Sequence, residues 1–461
     1  MWKYIPVAAV FALIKLLPVP SGLDPAAWNL FAIYMAVITG IILRPQPEPA
    51  VMIVCIAVGT FFAPLGTLLS GFSNGTAWLV FSAFLISQAF ISTGLGKRIA
   101  YIFIGKFGST ALGLGYGAVV TDLIISPATP SNTARTGGIV YPIFRSICET
   151  LGSTPESNPR RIGAYITFLM YVISLTTAYM FLTACAPNAL TLSYVKSVAG
   201  VDISWTQWMW AALVPGVVAL ILTPLLLYAI FPPELKKIDN AKEISRQGLM
   251  ECGPMTGKEK ILVVLFILAI AGWATGNYTK IGGTAVALLF LGACLIFQLF
   301  DWDTVAGNKN AWSTLIWYAG IIGISAALAK AKFFIWLGEL IKANMELTGF
   351  NGIIVLGVVL VANTVLRYLF ASMAAYVAAI VPVLLMLGVA AEAPLMPLCF
   401  IICFSSVTGG MVTQYGGALG PVLYGTGYVD QPTWWKCGAA CALLNIVIFM
   451  TVGLTYWKLF F

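Results

Sequence analysis

The run Ser131-Asn132-Thr133-Ala134-Arg135-Thr136-Gly137-Gly138 narrows the possible folds more than any other stretch of this chain. It sets short polar side chains, a cation and paired glycines inside an otherwise apolar, proline-punctuated region. At membrane depth such an interruption is tolerated only where it is buried in protein or lines a cavity. An arginine in that position marks a functional site by default. Composition supplies the membrane: of 461 residues 60% are hydrophobic and 9% charged, against about 25% charged in soluble domains. Too few polar residues remain to cover a water-facing surface, so lipid is the solvent for much of the chain. The length suits about ten to twelve spans of roughly 20 residues each. The expected fold class is therefore all-α integral membrane.

Several function classes fall away at once. Histidine is absent, which removes Ser-His and Cys-His nucleophiles and His-ligated zinc. The nine cysteines form no CxxC pair; Cys399/Cys403 and Cys437/Cys441 read as small buried residues of apolar helices. The net charge of +8 sits in short loops, where it sets topology and does not indicate nucleic acid. Tyr4–Leu17 carries Lys15, ends before Pro18 and Pro20 and lacks a small-residue cleavage site, so it reads as a retained first helix. No cofactor, no metal and no enzymatic activity are expected.

The chain divides into an N-terminal helix at 1–23, a first half at 24–231, a polar linker at 232–260 and a second half at 261–461. The linker holds Lys236, Lys237, Lys242, Arg246, Lys258 and Lys260. Each half contains a candidate re-entrant hairpin, at 110–147 and 351–388, the second preceded by an amphipathic piece at 330–346. Ser131-Asn132-Thr133-Ala134-Arg135 in the first faces Ser372-Met373-Ala374-Ala375-Tyr376 in the second, with Pro142 and Pro382 following. A broken span comes after each hairpin, at Thr183–Asn188 and at Gly409–Pro421. Paired interrupted segments in matching places of two halves point to a transport site between them. Five spans plus a hairpin per half makes the repeat inverted. The Lys/Arg distribution puts the linker in the cytoplasm; the first hairpin then enters from that side and the second from outside.

A helix that stops at mid-membrane points free N–H groups and roughly half a positive charge at whatever lies beyond it. Two such ends meeting make an anion cradle. Ser131, Asn132 and Thr133 add donors suited to carboxylate oxygens, and Gly137 and Gly138 allow close backbone approach. Arg135 and Arg367 must each face a cavity, pair with an acid or snorkel; Asp122 is the acid within reach of Arg135, and both its pairing and direct anion contact are open. Asn188, Ser372, Met373, Ala374, Tyr376, Thr413, Tyr415, Gly416 and Gly417 complete the candidate set.

These residues resemble the divalent anion:sodium symporter family, and most closely its antiporter branch of bacterial citrate/succinate antiporters and plastid 2-oxoglutarate/malate translocators. The likeness runs over nearly the whole chain. It is carried by Thr121-Asp122-Leu123 through Pro127, by Pro130-Ser131-Asn132-Thr133-Ala134-Arg135, by Phe370-Ala371-Ser372, and by Gly409-Gly410-Met411-Val412-Thr413-Gln414-Tyr415-Gly416-Gly417 with Gly425-Thr426-Gly427-Tyr428. The resemblance implies about eleven spans with two opposed hairpins, a homodimer, elevator-type movement of the hairpin domain, and di- or tricarboxylate substrates. This chain departs from the paired Ser-Asn-Thr tips at Met373 and Ala374, and has Tyr376 where the branch often has histidine. Met373 and Ala374 offer no side-chain oxygen to sodium. Two arginines in the site would carry +2 against a dianion's −2, so the empty carrier would move bare charge. The expectation is sodium-independent obligate exchange of C4–C5 dicarboxylates; a sodium-coupled symporter, an anion channel and a membrane enzyme are the alternatives.

Overall fold

A computed structural model describes residues 2–344 and 351–461. Met1 and the last two positions of the 330–346 piece lie outside the described residues. The described chain is helical throughout; besides helices it holds one isolated antiparallel bridge, Thr110 to Lys237. Among the described residues nine helices are long and apolar enough to cross a membrane, from Pro25–Leu43 to Gln431–Phe460. The all-α membrane class read from composition is the observed one.

The first hairpin descends as Ala111–Ile125, started by Thr110, whose hydroxyl accepts from Gly113 N at 3.0 Å. It turns through Ser126–Ala128 and Pro130, then returns as Thr133–Val140 and Tyr141–Thr150. The first part of the return is wound as a π-helix. Such widened turns cluster at functional sites, and this one absorbs Gly137, Gly138 and the missing N–H of Pro142. The second hairpin runs Gly352–Val365, then the tip, then Met373–Ala390. Asn351 caps its start by accepting from Ile353 N at 2.9 Å.

A broken helix comes after each hairpin. Gly163–Met180 is buried at every position and continues, after a non-helical step at Cys185, as Ala186–Ala199. Leu395–Thr408 is interrupted at 409–418 before Leu419–Tyr424. The two hairpins stand on opposite ends of the bundle. Ala111 N donates to Lys236 O at 3.1 Å and Ile238 N to Ser109 O at 2.9 Å, which fixes the first hairpin's base to the linker. From the linker, Gly257–Ala274, Gly283–Ile296 and Lys309–Lys330 run in succession along the bundle and lead into Phe333–Asn344. There Lys342 pairs with Glu392 at 3.3 Å, beside the base of the second hairpin.

The polar segment 232–260 is itself folded. Its helix Ala241–Cys252 packs along Leu95–Phe107, with Ser245 Oγ donating to Tyr101 O at 2.7 Å. A Cβ on Gly248 would overlap the Tyr101 ring where it now lies, so the glycine lets the ring rest against the helix. Arg98 closes the arrangement: it pairs with Glu259 at 2.7 Å and donates to the carbonyls of Gly253 and Cys252 at 3.0 and 3.2 Å.

Candidate functional site

The two hairpin tips meet. A cavity of about 390 Å³ is lined by Ser131, Asn132 and Thr133 from one tip and by Ala371, Ser372, Met373 and Ala374 from the other. The first helix break adds Cys185, Ala186 and Pro187, and the second adds Tyr415 and Gly417. Four chain interruptions, far apart in sequence, share one space. That is the arrangement in which half-helix termini face a bound ion.

The tip serines do matching work. Ser131 Oγ accepts from Ala134 N at 3.2 Å and Ser372 Oγ accepts from Ala375 N at 3.3 Å. Each caps its return helix at the cavity wall. Asn132 donates Nδ2 to Ser174 O at 3.2 Å, while its buried Oδ1 has no partner among the described residues. Met373 Sδ lies 3.6 Å from Cys185 Sγ, so soft side chains close the second tip where the first has Asn132 and Thr133.

Both arginines are buried, in different company. Arg135 Nε donates to Asp122 Oδ1 at 3.1 Å. Its Nη1 donates to Thr129 O and Ala184 O at 3.0 and 3.1 Å, and its Nη2 to Ser174 O and Thr177 Oγ1 at 3.1 and 3.0 Å. All the N–H groups of a guanidinium are then engaged. Asp122 also accepts from Thr136 and Thr177 at 2.7 and 2.5 Å. Arg135, a candidate for anion contact, is thus turned into the protein and does not line the cavity; the two antiparallel arms bring Asp122 across to it.

Arg367 has no carboxylate partner among the described residues. It donates to Phe370 O at 2.6 Å and to Gly416 O, lies with its guanidinium carbon 5.3 Å from the Tyr376 ring centroid, and keeps a buried, unpartnered Nε. The two arginines therefore play one structural role. Each ties a hairpin-tip carbonyl (Thr129, Phe370) to a carbonyl of the adjacent helix break (Ala184, Gly416). Register shows a further parallel. The residues nine before and four after the tip serine bond each other in both halves: Asp122 with Arg135, and Asn363 with Tyr376, whose hydroxyl donates to Asn363 O at 2.7 Å. The first half makes this brace ionic and the second makes it neutral.

The other candidates stand behind the wall. Asn188 Nδ2 donates to Ala178 O and Phe181 O at 2.7 and 3.1 Å, bridging the first break. A Cβ on Gly137 would sit 3.2 Å from Leu419, so this glycine serves packing against Leu419–Tyr424. Thr413 offers its carbonyl to Tyr171 Oη at 3.1 Å, and Gly416 offers its own to Arg367. A Cβ on Gly416 would meet Gly410 O at 2.3 Å; only glycine closes that loop. Of the expected set, Ser131, Asn132, Thr133, Ser372, Met373, Ala374, Tyr415 and Gly417 face the cavity, whereas Arg135, Gly137, Asn188, Arg367, Tyr376, Thr413 and Gly416 support it. Sequence reasoning missed Tyr171, Cys185 and Arg44 as lining residues. Tyr171 sits in a helix without polar periodicity, and nothing in the sequence singles it out.

Known proteins share this fold and sequence. In solved structures, the YdaH transporter of Alcanivorax borkumensis superposes with a TM-score of 0.55 at 10% identity, covering 99% of this chain and 97% of that one. MtrF of Neisseria gonorrhoeae gives 0.54 at 13%, covering 96% of each; at such identities the likeness is one of fold. Among sequences, the inner membrane protein YbhI of Escherichia coli K12 is 45% identical over 469 residues, covering 100% of this chain and 98% of its own. A Bacillus subtilis protein provisionally named as a malate transporter, YflS, is 40% identical, covering 98% and 94%. The L-tartrate/succinate antiporter of Escherichia coli K12 is 34% identical, covering 99% and 97%. The model of the sodium:sulfate symporter transmembrane region matches residues 1–461, and the chain belongs to the divalent anion:sodium symporter family.

Proposed function

We propose that this chain exchanges C4–C5 dicarboxylates such as 2-oxoglutarate, malate, succinate and fumarate across the cytoplasmic membrane, one anion for another and without sodium. Arg367 is the observation that carries this reading. Its guanidinium already occupies two backbone carbonyls, of Phe370 and Gly416, that would otherwise be free to ligate a cation between the second tip and the second break. Unlike sodium, it cannot leave with the cargo. Asp122 cancels Arg135 and Glu48 cancels Arg44, so the fixed charge beside the cavity is the +1 of Arg367 and not the +2 expected from counting Arg135 and Arg367. The two hairpin helix ends, worth roughly half a charge each, bring the cradle to a charge that matches the −2 of a dicarboxylate. An empty cradle would cross the membrane with that charge uncompensated, which is costly; another anion must ride back. The antiporter relative supports the same direction.

The carbonyl clamps tie tips to breaks, which favours movement of hairpins and broken helices as one body, an elevator against the remaining helices. A homodimer and a cytoplasmic linker belong to the same proposal. The test is counterflow: vesicles loaded with unlabelled succinate should take up labelled succinate or malate with sodium absent. Uptake into empty vesicles that requires an inward sodium gradient would replace exchange by symport.

A further inference from the structure

Arg44 lines the same cavity, yet it comes from neither hairpin nor broken helix. It ends the helix Pro25–Leu43, with its N–H on Gly40 O at 2.9 Å and its backbone left-handed at φ 46°, ψ 58°. A non-glycine residue pays about 1 kcal/mol or more for that conformation, and here the turn swings the side chain off the helix. Directly after it the chain reads Pro45-Gln46-Pro47-Glu48-Pro49. Pro45 and Pro47 fix φ and stiffen this short strap, which passes into the helix Glu48–Gly59. Tyr4 Oη pins it at Gln46 Oε1, 3.4 Å away. The Arg44 guanidinium meets Glu48 at 2.8 Å, with the two side chains 57% and 27% exposed. Arg44 is therefore a solvated cation at the cavity mouth, unlike the sealed Arg135 and Arg367.

The helix also tells which mouth. It begins beside Ser21, whose carbonyl accepts from Trp336 at 3.0 Å, at the end that carries the second hairpin's base. Its 19 residues climb about 28 Å at 1.5 Å each, which brings Arg44 to the linker end. The moving parts of the site come from elsewhere in the chain.

We propose that Arg44 is a substrate-receiving residue of the linker-side mouth: its guanidinium takes a carboxylate of the incoming diacid in place of Glu48, and does so only when the site faces that side. This rests on the anion-exchange reading above. The chemistry suits the residue, because the planar fork of arginine matches a carboxylate in two parallel hydrogen bonds. Glu48 holds the fork in place when the site is empty and competes with the substrate for it. The two neighbours should therefore act in opposite directions on affinity, and on one membrane face alone.

The experiment measures KM for labelled succinate in right-side-out and inverted membrane vesicles loaded with unlabelled succinate. Arg44→Gln should raise KM on the linker face about tenfold, the scale of electrostatic capture at a charged cleft, with maximal rate within about twofold and the opposite face unchanged. Glu48→Gln should lower KM on the linker face. Arg44→Lys should fall between wild type and Arg44→Gln, since lysine keeps the charge and loses the fork. An unchanged KM in Arg44→Gln, an equal rise on both faces, or Glu48→Gln moving KM in the same direction as Arg44→Gln would overturn the inference; the last would mean that the ion pair only supports the strap. A wild-type protein that exchanges no dicarboxylate in either preparation would instead remove the function on which the inference rests.

Discussion

Two equally buried arginines should give opposite phenotypes when neutralised. Arg135→Gln would strand the Asp122 carboxylate, which now faces Arg135 Nε at 3.1 Å, and would loosen the carbonyls of Thr129, Ala184 and Ser174. Removing one partner of a buried ion pair costs about 3–5 kcal/mol, and lost hydrogen bonds to a charged group add about 1.5–3 kcal/mol each in the worst case. Arg367→Gln is different. The variant removes a charge that no carboxylate balances, and its amide can still donate to one of the two carbonyls, so we expect stability within about 1 kcal/mol of wild type. Affinity should suffer instead. Arg367 stands behind the cavity wall, so its charge acts on the anion at one remove; at the low end of the about 2–5 kcal/mol that an unmatched buried charge costs in binding, Arg367→Gln should weaken dicarboxylate binding about thirtyfold. The assay is thermal unfolding in detergent with and without succinate. Ligand at a hundred times Kd stabilises by about 2.7 kcal/mol, so wild type should show a clear ligand shift. Arg135→Gln should melt early or fail to accumulate. Arg367→Gln should melt near wild type and keep about a third of the shift or less, because a thirtyfold weaker Kd leaves about 0.9 kcal/mol of ligand stabilisation at the same succinate concentration. An Arg367 variant that keeps the full shift would refute the assignment of its charge to the anion.

Other perturbations test the same geometry. Tyr376→Phe deletes the hydroxyl that donates to Asn363; an unsatisfied buried acceptor costs about 1–3 kcal/mol, so the melting temperature should fall while sodium independence is retained. Restoring oxygen at the second tip with Met373→Asn and Ala374→Thr should not create sodium-dependent uptake while Arg367 is present, but should do so in combination with Arg367→Ala if the guanidinium occupies a cation's place; sodium-titrated uptake decides. At the linker, burial opposes ionisation of Glu259, but Arg98 and the Thr256 N–H outweigh it and hold the carboxyl below its ordinary value. That stabilisation is fully present above the ordinary glutamate pKa of about 4.3 and is lost as pH falls through the lower folded value. Protease cleavage near 252–256 should therefore rise in acid, and Arg98→Met should expose the same bonds already at neutral pH.

Much of the site was legible because apolar context makes polar interruptions conspicuous. Ser131-Asn132-Thr133 and Ser372 could be paired across the halves, and the two breaks after them located, because each is a departure from a lipid-compatible pattern. Direction was not legible. Arg135 comes four residues after the tip serine, yet a π-wound return turns it toward Asp122, Ser174 and Thr177. Those partners lie on another arm and another helix, so their convergence is a tertiary fact. Ser174 and Thr177 sit in a helix buried on all sides, where amphipathic periodicity has nothing to mark. Arg44 reads through its charge as a topology signal, and only the position of its helix makes it a cavity residue. The polar linker has the composition of a tether, but Gly248 against Tyr101 and Arg98 on Glu259 fold it onto its neighbour.

A guanidinium that lacks a counter-ion has an electrical consequence. Because Arg367 stays with the chain on both strokes, its charge contributes equally to the outward and the return movement and cancels over a full exchange cycle. Swapping one dianion for another then moves no net charge, and the cycle is blind to voltage. Swapping a dianion for a trianion carries one unit across per turn, so the resting potential itself would bias which acid leaves the cell and which enters.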